Sequence, residues 1–99
     1  MITIHKFPIQ MTELFQIIMP AGALMLHVDV QRGAPQLWAR VDTKQPDRSY
    51  DFGVFGTGHD MEADVNGRMN LIAYAPHVGS FMLQGDSLVF HLFGGLYTK

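Results

Sequence analysis

Five histidines stand in a chain of 99 residues: His5, His27, His59, His77 and His91. That density raises the question of a metal site. The pattern His27-x-Asp29 puts an imidazole and a carboxylate on one face of a strand, about 7 Å apart by the rise per residue. Zinc, however, asks for three or four converging ligands. Spacing gives no reason for His5 or His91 to meet that pair, and no H-E-x-x-H pattern occurs. The histidines read as surface residues, and neither a metal nor a cofactor is expected.

A second candidate is Gly56-Thr57-Gly58-His59. Glycines let backbone amides turn toward an anion. No helix and no Gly-Lys-Ser/Thr ending follows, so this is not a Walker loop. It reads first as a turn that needs positive φ, and second as an anion or small-molecule site with a stacking aromatic such as Phe55. Nucleophiles offer less. Ser49, Ser80 and Ser87 fall in predicted strands or beside turns without a G-x-S-x-G setting. Asp60, Glu62 and Asp64 crowd one acidic, solvated stretch. No catalytic residue is named, and the chain is not expected to be an enzyme.

The strongest interaction signal is Trp38 with Arg40, two residue types enriched at binding hot spots. They lie in Leu24–Asp42, which reads as two alternating strands joined by a short polar turn. Leu24, Leu26, Val28 and Val30 share one face of the first strand. Leu37, Ala39 and Val41 share the matching face of the second. Apolar faces must coincide, because a slip of one residue inverts a strand. Paired residue numbers therefore sum to 67 or to 65. Either register places His27, Asp29, Trp38 and Arg40 together on the outer face. Leu26, Val28, Ala39 and Val41 are expected in the core. Two readings of Trp38 stay open: a partner-binding residue, or a core residue covered by the chain's own loops.

The other elements are short. Ile2–Phe7 alternates, and Pro8 ends it or places it at a sheet edge. Glu13–Met19 is a second strand, stopped by Pro20 and Gly22. Thr43–Arg48 is a polar loop. Ser49–Phe55 is a strand with Tyr50, Phe52 and Val54 on one face. Met61–Asp64 has room for one helical turn, Asn66-Gly67 is a turn dipeptide, and Met69–Ala75 reads as a strand. Ser80–Phe93 is a hairpin about Gly85-Asp86, pairing Leu83 with Leu88 and Phe81 with Phe90. Gly94-Gly95 is expected to free the tail. Seven or eight short antiparallel strands predict one all-β domain over residues 1–99, a small sandwich or a partly open barrel.

Composition narrows the partners. The seven Lys and Arg are scattered and the net charge is −2, so no basic stripe collects duplex nucleic acid. There is no cysteine, which fits a reducing compartment. No apolar run reaches the roughly 18 residues of a membrane helix, and no signal peptide is evident. Charged residues make up 16% against a usual value of about 25%. With hydrophobic residues at 47%, some apolar surface is left for a partner or a second copy.

The ordered series I-H-K-F-P-I at 4–9, M-P-A-G-A at 19–23, V-Q-R-G at 30–33, L-W-A-R-V-D at 37–42, G-T-G-H at 56–59 and V-F-H-L-F at 89–93 resembles a family of small phage and prophage proteins, domain of unknown function 7352. The resemblance spans nearly the whole chain. It implies a phage-encoded accessory protein in the host cytoplasm, and no chemistry. The expectation is then a protein that binds and inhibits a host factor, such as a CRISPR or nucleotide-signalling defence component. A nucleotide-sequestering protein and a virion or assembly protein are the alternatives.

Overall fold

Alternation of inward and outward side chains sets the architecture seen in the computed structural model, which describes residues 1–62, 64–65, 68–69, 71–85 and 87–97. The strands in chain order are β1 (Ile2–Pro8), β2 (Phe15–Pro20), β3 (Leu24–Gln31), β4 (Ala34–Asp42) and β5 (Asp47–Gly56). The two-residue strands β6 (Asp64–Val65) and β7 (Arg68–Met69) follow, then a 3-10 helix (Leu71–Tyr74), β8 (His77–Leu83) and β9 (Leu88–Tyr97). Seven of these strands build two antiparallel sheets, in the orders β1-β4-β3 and β2-β5-β9-β8. The sheets face each other without closing into a barrel, so the fold is the expected all-β sandwich.

The core lies between the sheets. Val28, Leu37, Ala39 and Val41 come from the three-stranded sheet. Phe15, Ile17, Met19, Tyr50, Phe52, Val54, Phe81 and Leu92 come from the four-stranded one. Tyr50 is buried, yet its hydroxyl is satisfied: it donates to Pro20 O at 2.7 Å and accepts from Ala23 N at 3.2 Å. That pair of bonds ties the β2–β3 connection to the core. On one flank the sheets pinch together. A Cβ at Gly79 would sit 2.5 Å from Val28 Cγ1, so glycine is what lets β8 approach β3 this closely.

The β3–β4 hairpin turns at Arg32 and Gly33, both at positive φ, as a two-residue hairpin loop requires. Its register is the one that pairs His27 with Trp38 and Val28 with Leu37. It holds only as far as His27. Between Met25 and His27 the ladder shifts, and Met25 pairs with Ala39. A bulge of this kind adds one residue and reverses the alternation beyond it. Leu26 was expected in the core but is 44% exposed, and Leu24 is exposed as well. Met25 packs against the core in their place.

Three further expectations are corrected. Met69–Ala75 is not a strand: only Arg68–Met69 is extended, and Leu71–Tyr74 coils into the 3-10 helix. That helix buries Ile72 and leaves Tyr74 exposed. The helical turn expected at Met61–Asp64 is absent from its described residues, since Met61 and Glu62 form a turn and Asp64 begins β6. Gly94-Gly95 does not free the tail. Both take positive φ, the ladder shifts beside Gly94, and β9 continues with Leu96 opposite Asp51 and Tyr97 opposite Tyr50. The Asn66-Gly67 turn and Asp86 of the Gly85-Asp86 loop lie outside the described residues. Around that loop Leu83 pairs with Leu88 and Phe81 with Phe90, as alternation predicts, and the positive-φ residues are Gln84 and Gly85.

The two sheets differ on their outer sides. The four-stranded sheet carries a second apolar layer. Phe55 points away from the main core yet is 1% exposed, and its ring meets those of Phe93 and His59 edge-on. A Cβ at Gly53 would press on Glu13 O and lie 2.9 Å from Ile72 Cγ2. The segment leading into β2 and the 3-10 helix therefore lie directly on this face.

Candidate functional site

The outer face of β3 and β4 brings together all four residues expected there. Trp38 stands opposite His27 on β3 and Lys6 on β1. Its ring lies 5.9 Å from the His27 ring, tilted by 40°. His27 Nε2 is 3.5 Å from Asp29 Oδ2, and both side chains are more than half exposed. Asp29 Oδ1 also accepts from Val30 N at 2.8 Å, which orients the carboxylate. Lys6 Nζ donates to Gln31 Oε1 at 2.5 Å, reaching over the central strand beside Trp38. Arg40 is exposed and forms no ion pair with another described residue.

Aliphatic side chains frame these polar groups. Ile4 and Leu24 flank Arg40 on the two neighbouring strands. Ile2 is 70% exposed, Ile4 57% and Leu24 46%. With Leu26 they make an apolar strip beside Trp38, and a shallow cavity of about 200 Å³ opens between Ile2, Gly22, Arg40, Val41 and Asp42. The bulge that expels Leu26 from the core thus adds to this face. Trp38 itself is half-buried, with the His27 ring beside it.

Gly56–His59 forms a turn. Gly58 has φ of +83°, and His59 N donates to Gly56 O at 3.0 Å. Thr57 N donates to Val89 O at 3.3 Å. Two of the amides that an anion would need are therefore spent within the backbone. The His59 ring meets Glu13 Oε1 at 2.5 Å, and buried Phe55 has no free face on which a ligand could stack. Beside the turn lies an open cavity of about 340 Å³ lined by Gly56, Thr57, Ser87, Leu88, Val89 and Phe90.

One arrangement was not anticipated. On the outer side of the four-stranded sheet, Ser80 Oγ is 2.7 Å from His91 Nδ1 and 3.2 Å from His77 Nε2. His91 Nε2 is in turn 2.8 Å from Thr57 Oγ1. Four side chains from β8, β9 and the Gly56–His59 turn thus form one hydrogen-bonded chain. The signal for it was present in the sequence. The register that pairs Phe81 with Phe90 also pairs Ser80 with His91 and turns both outward. His77 and Thr57 were beyond reach, because a ladder shift precedes Gly79 and the turn folds back onto β9.

No three His, Asp or Glu side chains among the described residues are placed to hold a metal ion. No described helix is long and apolar enough to cross a membrane. The family model for a domain of unknown function, DUF7352, matches residues 1–97. The chain belongs to that family. No curated protein and no solved structure matches it.

Proposed function

We propose that the protein acts by binding, and that the outer face of β1, β4 and β3 is its docking surface. The carrying observation is the bare strip of Ile2, Ile4, Leu24 and Leu26 around Trp38 and Arg40. Apolar groups left in water beside Trp and Arg are the composition of an interface centre. His27, Asp29 and Lys6 form a polar rim. The partner in this reading is a host protein in the cytoplasm, bound and inhibited by a phage- or prophage-encoded accessory protein. A component of a CRISPR or nucleotide-signalling defence system is the target class.

The test is affinity capture from host lysate with three forms of the full chain. A partner of this face is retained by the wild type and by Met82→Ala, which alters an exposed residue of the other sheet. It is lost with Trp38→Ala and weakened with Arg40→Ala. Equal retention by all forms refutes the surface. Size-exclusion with light scattering addresses the assembly reading: a concentration-dependent dimer lost with Trp38→Ala makes a second copy the occupant.

A second reading, sequestration of a small molecule, rests on the cavity beside Gly56 and Thr57. A ligand present at about 100 times its Kd adds about 2.7 kcal/mol of stability. A thermal-shift panel of nucleotides reads that directly, and the absence of any shift removes nucleotides as the ligand.

A further inference from the structure

The docking face leaves the chain of His77, Ser80, His91 and Thr57 on the opposite side of the sandwich without a role. We propose that Ser80 is an activated nucleophile and that this cluster is an acyl-transfer site for small esters with an apolar acyl or aryl group. The proposal is independent of the docking surface and goes beyond binding.

The geometry contains the parts that such chemistry needs. A serine hydroxyl becomes nucleophilic when a base takes its proton, and the base works best when a third group orients it. His91 Nδ1 is 2.7 Å from Ser80 Oγ, and Thr57 Oγ1 is 2.8 Å from the other ring nitrogen. Two proton arrangements satisfy all three contacts, and the one that supplies a base has Ser80 O–H donating to His91 Nδ1 and His77 Nε2–H donating to Ser80 Oγ. His91 then carries its proton on Nε2 and donates to Thr57. That bond leaves the Nδ1 lone pair facing Ser80, so Thr57 is a positioning residue. His77 donates its Nε2–H to Ser80 Oγ at rest and stands beside the attacking oxygen, from where that bond can shift to the carbonyl oxygen on which the oxyanion develops.

The step balances as an ester hydrolysis. Ser80 Oγ bonds to the carbonyl carbon while its proton passes to His91 Nδ1. The carbonyl oxygen, now an oxyanion, takes the His77 N–H hydrogen bond. The carbon–oxygen bond to the leaving group breaks, and His91 returns the proton to the departing alcohol. Water then releases the acyl group from Ser80 by the same route, giving a carboxylic acid. The substrate class follows from the flanks. Met82 and Val89 pair two residues along the same face and are exposed. The Phe93 ring lies 5.1 Å from that of His77. No charged side chain enters the hydrogen-bonded chain, so an uncharged ester fits.

The probe is an alkyl fluorophosphonate, read by intact mass and peptide mapping of the full chain. Ser80 Oγ bonds to phosphorus, fluoride leaves, and the serine proton passes through His91 to buffer. The expected result is one adduct per chain, on Ser80, and none in Ser80→Ala. His91→Gln keeps the shape but removes the base and slows labelling by at least roughly tenfold. Thr57→Val slows it as well, whereas Thr57→Ser, which keeps the hydroxyl, labels at nearly the wild-type rate. No adduct on the wild type, an adduct on another residue, or an unchanged rate in His91→Gln overturns the proposal. The wild-type result decides even if a variant fails to fold.

Discussion

The outer face of the three-stranded sheet and the part of the four-stranded sheet around Phe55 differ in cover, although their strands alternate in much the same way; elsewhere on the four-stranded sheet Ile18, Met82 and Val89 are exposed. On the four-stranded sheet the outward residues Phe55 and Gly53 are buried beneath Ile72 and the segment before β2. On the three-stranded sheet the outward residues Ile2, Ile4 and Leu24 are exposed and Trp38 is half-buried. The difference lies in the connections. β3 and β4 are joined by two residues, which leaves no chain to fold over them. The long stretch between β5 and β8 is available to fold back, and it does. Strand pattern therefore decides which residues leave the core, while loop length decides whether they reach water.

Truncating one aromatic on each face makes the contrast measurable. Phe55→Ala opens a cavity under the covering segments and is expected to cost about 3–5 kcal/mol. In a domain this small it lowers Tm sharply in a thermal melt. Gly53→Ala probes the same contact from below. Its added methyl group meets Glu13 O and Ile72 Cγ2, and overpacking of this kind costs about 1–3 kcal/mol. Chemical denaturation should show a lower midpoint. If Gly53→Ala is neutral, the covering layer is not seated as described.

Trp38→Ala should behave differently. With its side chain half-buried, the loss of stability is about 1 kcal/mol or less, while binding to a partner of this face falls by about 2 kcal/mol or more. A large loss of stability would show that Trp38 belongs to a core. The smallest effect is at Asp42, at the end of the bare face. The Lys44 amide donates to Asp42 Oδ1 at 3.1 Å. That bond is the first cause holding the carboxyl below its ordinary value, with Gln45 and the N-terminal ammonium adding to it against partial burial. A depressed carboxylate stabilises the fold above its unfolded pKa, and the contribution is lost as pH falls through the lower folded value. Asp42→Asn should remove that contribution: stability falls slightly at neutral pH, stays nearly unchanged at the acid end, and the acid side of a melt series flattens.

Much of this was legible in the chain itself. Parity along β3 and β4 placed His27, Asp29, Trp38 and Arg40 on one face, and the structure keeps them there. Val28, Ala39 and Val41 are buried for the same reason. Leu26 escaped because a bulge leaves no mark in an unbroken alternation such as LMLHVDV. The 3-10 helix was hidden because Leu71–Tyr74 is as apolar as a strand, and a run that short does not reveal its period. The Ser80–His91 pair is legible in the hairpin register as the outward neighbour of the Phe81–Phe90 pair. Its completion by Thr57 and His77 depends on a turn and a ladder shift that no local pattern announces.

Trp38 is the sole tryptophan, so its fluorescence reports the central claim without a second label. Acrylamide quenching of the isolated chain measures whether the outer face of the three-stranded sheet is bare. The structure predicts efficient quenching, the same at low and high protein concentration, with an emission maximum displaced toward that of tryptophan in water. An emission shifted to the blue and resistant to acrylamide would mean that the face is covered, and would contradict the assignment of Trp38 and Arg40 to a docking surface.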